Sequence, residues 1–182
     1  MAKGQCVKET AKIQRGFCML NCHTVKTNLY FCQDLFNKEQ NPVKKQFLLN
    51  MALLEICGWI EEALDNIYLN RPNDMIKKHI ERIYSFEYAK IQTVLAFCIG
   101  VHRLQELEKH TEVSYTAEYV EFKSTINILH KYRNLSAHKN AEATSNTIGF
   151  SNLFQYFYII RKSLIYIERL VATEHKNIAA HR

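Results

Sequence analysis

The chain has 182 residues, of which 47% are hydrophobic and 23% are charged, so it is long enough for one globular domain and too apolar for a disordered chain. It contains only five glycines and two prolines, and this scarcity excludes an all-β protein with many tight turns. The formal net charge of +6 is compatible with a polyanionic partner such as RNA, and equally with an ordinary protein surface.

Apolar residues recur at intervals of three and four, which is the helical period, along the whole chain. In chain order the predicted helices cover residues 8–36 (with a break near 21–24), 43–70, 74–84, 86–110, 117–132 and 150–175. The most sustained apolar stripe belongs to the second helix and comprises Leu49, Leu53, Ile56, Ile60, Leu64 and Ile67. Short polar links join the helices, and residues 134–146 have the small, polar composition of a loop.

These elements predict an all-α fold, an antiparallel helical bundle of five to six helices. Residues 1–42 form a predicted N-terminal helical region that packs on a bundle made by residues 43–182. The N-terminus lacks the apolar core of a secretory signal, so we expect a cytoplasmic protein with reduced thiols. We also expect no membrane span, because the longest uncharged window is interrupted by polar residues.

Several common catalytic motifs are missing from the sequence. It has no glycine-rich phosphate loop, nucleophile elbow, His-Glu-x-x-His or Cys-x-x-Cys motif. Four potential zinc ligands are close together in the chain, namely Cys18, Cys22, His23 and Cys32. Their spacing follows a helical apolar pattern, which favours buried free cysteines over a zinc site, so no metal is predicted. Cys57 and Cys98 are predicted core residues, and the isolated histidines are predicted surface or capping residues: His79, His102, His110 and His130.

The segment with the clearest chemical potential contains Arg133 and His138, next to the predicted loop. A histidine transfers protons near neutral pH, and an arginine binds phosphate oxygens with its planar guanidinium group. Five residues of a straight helix rotate a side chain by about 140°, so the two residues would not share a face. They converge if the helix breaks near residues 135–137, or if two copies of the chain meet at a dimer axis.

Residues 133–138, with the sequence Arg-Asn-Leu-Ser-Ala-His, resemble the Arg-x(4–6)-His motif of the HEPN superfamily (higher eukaryotes and prokaryotes nucleotide-binding domain). Residues 56–62, Ile-Cys-Gly-Trp-Ile-Glu-Glu, are similar to a helix of HEPN proteins of the RiboL-PSP type, in which an acidic residue lies near the motif arginine. The resemblance covers residues 43–175 and leaves the first forty residues unexplained. Asn140 stands where HEPN toxins regulated by tyrosine adenylylation carry a tyrosine, which argues against that form of control.

The resemblance implies a metal-independent endoribonuclease that acts as a homodimer and needs no cofactor. In that reaction His138 transfers a proton during attack of the ribose 2′-OH, and Arg133 binds the scissile phosphate. Asn134 orients or hydrogen-bonds the reacting groups, and Glu61 positions Arg133 through an ion pair. Lys131 and Lys139 flank the site and are candidate RNA-binding residues. A toxin or a defence or stress effector of this kind has RNA as its substrate, and an antitoxin or regulatory protein is a possible partner.

Two other functions are compatible with the sequence. One is a HEPN-like bundle that binds RNA, a nucleotide or a protein without cutting. The other is a helical interaction module whose first forty residues dock a partner. The presence of both Arg133 and His138 favours the ribonuclease, because a non-catalytic scaffold has no need of both. The aromatic residues of the last helix could stack on bases, although their helical spacing is more typical of a core.

Overall fold

The computed structural model describes residues 22–69, 87–113, 116–138 and 148–180. These residues form six helices and no strand, which confirms the predicted all-α helical bundle. The helices are α1 (Cys22–Lys38), α2 (Pro42–Leu69), α3 (Tyr88–Ile99), α4 (Val101–Val113), α5 (Thr116–His138) and α6 (Phe150–Ala180). None of the described helices combines the length and apolar character needed to cross a membrane. The predicted helix over residues 74–84 and the start of the first predicted helix lie outside the described residues.

The first two helices form a hairpin closed by a three-residue connection. Asn41 caps α2, since its Oδ1 accepts hydrogen bonds from the backbone N–H groups of Val43 at 2.9 Å and Lys44 at 3.3 Å. Pro42 occupies the first helical position, where its missing N–H has no cost. Further along the hairpin, Asn28 Nδ2 donates a hydrogen bond to Glu55 Oε1 at 2.7 Å. The helix α1 therefore packs along α2.

The single helix predicted over residues 86–110 is wrong, because the chain changes direction at Gly100. This residue has φ +86° and ψ +146°, a conformation that side chains with a Cβ rarely adopt. Its N–H donates to the carbonyl oxygen of Ala96 at 2.9 Å, and its own carbonyl accepts from the N–H of Leu104 at 3.0 Å. The apolar period continues across the break, and so the sequence pattern gave no sign of it.

The hydrophobic core lies between α2 and the helices packed on it. All six residues of the predicted α2 stripe are buried, as are Cys57 and Cys98, which confirms both predictions. Trp59 of α2 contacts Phe157 of α6 with ring centroids 5.1 Å apart, and Tyr88 contacts Phe122 at 6.4 Å. Residues from α2, α3, α5 and α6 thus form one continuous core cluster.

The helix α5 is longer than the sequence predicted, and this changes the geometry of the motif. It continues without interruption to His138, so neither the predicted end near Tyr132 nor the start of the predicted loop at residue 134 is correct. Asparagine and serine are weak helix formers, but here their side chains have partners: Asn134 contacts His130, and Ser136 contacts Asn50 of α2. One of these contacts lies within α5 and the other joins α5 to α2, so both side chains have partners other than their own backbone. The remainder of the predicted loop, residues 139–147, lies outside the described residues.

Candidate functional site

The helices α2 and α5 run antiparallel and bring Glu61 and Arg133 together. Arg133 Nη2 lies 2.7 Å from Glu61 Oε1, and the two side chains are 36% and 28% exposed. This ion pair is the contact that the resemblance implied between the two residues, and the structure confirms the contact itself. A charged hydrogen bond of this length fixes the guanidinium group at the surface between the two helices. The catalytic roles assigned to both residues stay predictions.

The inner wall of this site is apolar. Cys57 lies one turn before Glu61 on α2 and is buried, and burial raises the pKa of its thiol to about 12. The positive charge of Arg133 lowers that pKa, and the negative charge of Glu61 raises it. The thiol is therefore neutral at physiological pH and does not compete with Glu61 for Arg133. An apolar wall on one side of an ion pair also strengthens the electrostatic attraction within it.

The outward side of α5 carries a second polar pair, formed by His130 and Asn134. Asn134 Nδ2 lies 3.3 Å from His130 Nε2, a hydrogen bond that the amide donates when this ring nitrogen is unprotonated. From the sequence, His130 is predicted as an isolated surface or capping residue. Its spacing of four from Asn134 on a helix was the signal that could have joined them. His130 thus belongs to the candidate site, next to the motif.

A polar contact that was not predicted from the sequence joins the end of α5 to the first half of α2. Ser136 Oγ donates to Asn50 Oδ1 at 3.3 Å, and Gln46 Nε2 donates to the same oxygen at 3.1 Å. The contact is partly buried and lies between residues that are distant in the chain. It places residue 136 of α5 beside residue 50 of α2.

The unbroken helix places positions 133 and 138 on different faces. Of the two arrangements that could bring Arg133 and His138 together, a break near residues 135–137 is therefore absent. Arg133 faces α2, whereas Lys131 and Asn134 are exposed. Position 138 follows these two by seven and four residues and so belongs to the same outward helix face. Lys139 lies outside the described residues.

Of the four potential zinc ligands that are close together in the chain, the structure describes Cys22, His23 and Cys32. Among the described residues, no group of three or more His, Cys, Asp and Glu side chains could hold a metal ion. Cys22 is buried and Cys32 half-buried, and burial raises the pKa of both thiols. Cys18 lies outside the described residues.

No protein-family model matches this chain, and no curated protein or solved structure is significantly similar to it.

Proposed function

We propose that this chain is a metal-independent endoribonuclease of the HEPN type. The observation that carries the proposal is the ion pair between Glu61 and the motif arginine, Arg133. Glu61 and Arg133 belong to segments far apart in the sequence, and each segment resembles a HEPN pattern separately. The two side chains nevertheless lie within hydrogen-bonding distance of each other. A coincidental motif on the end of a surface helix does not account for that contact.

In the proposed reaction the ribose 2′-OH attacks the adjacent phosphorus. His138 acts in the proton transfer, the 5′-oxygen of the next nucleotide leaves with a proton, and the products are a 2′,3′-cyclic phosphate and a 5′-OH. Arg133, held by Glu61, neutralises negative charge on the pentacoordinate phosphate. Lys131 and Lys139 add contacts to neighbouring phosphates, and Asn134 hydrogen-bonds near the reacting groups. Because the nucleophile is the 2′-OH, RNA is cut and DNA is not.

The active unit in this proposal is a homodimer. Within one chain, positions 133 and 138 lie on different faces of a continuous helix, so a second copy has to complete the site. A cytoplasmic toxin or defence effector, controlled by an antitoxin or regulatory protein, is the setting that fits such an enzyme. If no dimer forms, the separation of Arg133 and His138 favours the alternative function. That alternative is a non-catalytic HEPN-like module that binds RNA, a nucleotide or a protein.

The test is an RNA cleavage assay with the purified full-length chain in EDTA and in Mg²⁺. We expect cutting in both, with 2′,3′-cyclic phosphate ends, and its loss in Arg133→Ala and His138→Ala. The matched controls are Arg103→Ala and His102→Ala on α4, where both residues are largely exposed and contact Glu106. If all four variants cut RNA as the wild type does, or if the wild type does not cut RNA, the ribonuclease is excluded. Either result favours the binding module.

A further inference from the structure

An apolar surface extends along the outer side of the α1–α2 hairpin. It consists of Phe47, Met51 and Leu54 on α2 and of Phe31 and Leu35 on α1, and we call these five residues the outer stripe. Their exposed fractions range from 37% for Leu35 to 63% for Phe31. Together they expose roughly 500 Å² of mostly apolar surface, as much as the largest patch on a typical monomer, and such patches mark interaction sites.

The outer stripe has a cleft near one end and a large side chain near the other. At Gly58 an added Cβ would meet nothing within 4 Å. The cleft around it is lined by the apolar side chains of Met51, Leu54 and Trp59 and, at its edges, by polar ones that include Glu55 and Glu62. Phe47, at the opposite end, is 58% exposed. Residues 47 and 58 are separated by eleven positions, about three helical turns, so they lie on the same side of α2.

This arrangement is complementary to itself. If two copies of α2 pack antiparallel with Phe47 of one against Gly58 of the other, Met51 of each copy lies opposite Leu54 of its partner. A symmetric interface of this kind uses the same surface twice. The Phe47 side chain fills the cleft that the missing Gly58 side chain leaves open.

The charges of α2 favour the same antiparallel pairing. Its charged residues are two lysines near the start, Lys44 and Lys45, and four acids after residue 54, namely Glu55, Glu61, Glu62 and Asp65. In the register that joins Phe47 to Gly58, Lys44 of one copy lies opposite the Glu61–Glu62 step of the other. Lys44 and Glu62 are both exposed. A parallel pairing would instead place like charges together.

We propose that the outer stripe is the interface between two copies of this chain, with α2 packed antiparallel on α2. A standard interface buries about 800 Å² per partner, of which about 60% is apolar, so the roughly 500 Å² of the outer stripe is the apolar area that it needs. The helix α1, which lies outside the residues that the family resemblance covers, supplies two of the five residues. A second copy is therefore the occupant that this surface fits.

This interface assembles the candidate site, a consequence that rests on the proposed function. Two antiparallel α2 helices in a symmetric dimer are related by a two-fold axis perpendicular to the plane that contains both helices. The α5 helices of the two copies therefore lie on the same side of that plane. Ser136 marks the level of Asn50 on α2, and in this register the partner's Asn50 lies opposite Glu55. The partner's position 138 is thus carried close to the level of Cys57 and Glu61, where Arg133 is held.

The first test measures the oligomeric state of the full-length chain by sedimentation velocity. We expect a dimer in wild type and a dissociation constant raised by roughly thirtyfold or more in Phe47→Glu and in Gly58→Gln. A Cβ at position 58 meets no neighbour within 4 Å in the monomer, and glutamine is a better helix former than glycine, so thermal unfolding should show an intact fold. The matched control is Val101→Glu on α4, which replaces an apolar residue that is 61% exposed away from the outer stripe.

The second test exchanges charges across the interface. Lys44→Glu and Glu62→Lys should each weaken the dimer, and the double variant should recover most of the loss. Lys90→Glu on α3, also exposed, is the control for a change in net charge. A wild-type chain that stays monomeric at about 100 µM, far above the Kd of a specific interface, overturns the interface. Unchanged dimers in Phe47→Glu and Gly58→Gln overturn it as well.

The third test mixes Arg133→Ala with His138→Ala, each inactive alone. If each site takes Arg133 from one copy and His138 from the other, mixed dimers hold one intact site. Statistical mixing then restores roughly a quarter of wild-type cleavage, and Phe47→Glu placed in both variants abolishes the recovery. Absence of recovery overturns the shared site. If wild type does not cut RNA at all, the proposed function fails, and sedimentation alone decides the interface.

Discussion

The ion pair between Glu61 and Arg133 should contribute to stability as well as to the site, and a double-mutant cycle measures that contribution. The variants are Glu61→Gln, which keeps the shape of the side chain and removes its charge, Arg133→Met, which keeps the length of the aliphatic stem, and the combination of both. The two oppositely charged groups are only about one-third exposed. Each single variant leaves the other charge without its main partner, so it costs more than the pair itself contributes.

The magnitude follows from the geometry. At 2.7 Å the direct attraction is about 6 kcal/mol for an effective dielectric constant of 20, and desolvation of both groups offsets most of it. Surface pairs contribute about 0–1 kcal/mol and hydrogen bonds to charged groups about 1.5–3 kcal/mol. A pair of intermediate exposure should therefore couple by about 1–2 kcal/mol. For a chain of this size each single variant should lower Tm by about 2–8 °C.

The assay is equilibrium unfolding in urea at pH 7 for wild type, the two single variants and the double variant. Lys38 and Asp34 supply the matched control cycle, since they form an i,i+4 pair at 2.6 Å whose side chains are 72% and 57% exposed. That exposed pair should couple by only about 0.3–0.5 kcal/mol. If the coupling between Glu61 and Arg133 is no larger than in this control, the pair does not hold Arg133 in place, and the argument for its positioning role is lost.

Three further predictions concern glycine and cysteine. Gly100→Ala should lower the free energy of unfolding by about 1–3 kcal/mol because of its positive φ. Gly58→Ala, within α2, should raise the free energy of unfolding by about 0.5–1 kcal/mol when both are compared in the Phe47→Glu background, where no second copy covers position 58. Thermal unfolding would contradict this if both shifts had the same sign. The Cys57 thiol, whose pKa burial raises to about 12, should resist alkylation at pH 8 in the native protein, while the half-buried Cys32 reacts faster; labelling followed by peptide mass spectrometry checks the order. The raised pKa keeps the Cys57 thiol protonated in the folded state, whereas in the unfolded chain the thiol ionises above about pH 9. The free energy of unfolding of the wild type should therefore decrease between pH 9 and 12. Over that range the urea midpoint of Cys57→Ala should decrease less than that of the wild type.

The elements of the fold that the sequence could predict are those with a long, regular apolar period. The stripe of α2 runs over five turns without interruption, and all of its members are buried. Two errors concern where helices end. Gly100 interrupts an apolar period that itself continues, and the asparagine and serine of the motif stay helical although their composition is typical of a loop. Asn134 contacts His130 of the same helix, and only the contact of Ser136 with Asn50 joins two helices.

The site was predictable only where a segment resembled a known pattern. Glu61 and Arg133 belong to different helices, and no periodicity links them; their ion pair was expected only from the resemblance. Asn50 was not singled out, because a polar residue at a helix–helix contact has no local signature before the helices are paired. The outer stripe was not predicted either, since exposed apolar residues carry no signal in the sequence that separates them from buried ones.

The proposed second copy would cover the one side of α2 that the described helices leave exposed. One side of it faces the core through residues such as Ile56 and Ile60, another contacts α5 through Glu61, and a third meets α1 through Glu55. Its remaining side carries the exposed apolar residues of the outer stripe. A helix that is apolar around most of its circumference is typical of the centre of a bundle, where neighbours surround it. In the described part of the chain one side of α2 stays exposed, and in the proposed dimer a second α2, packed antiparallel, would cover it.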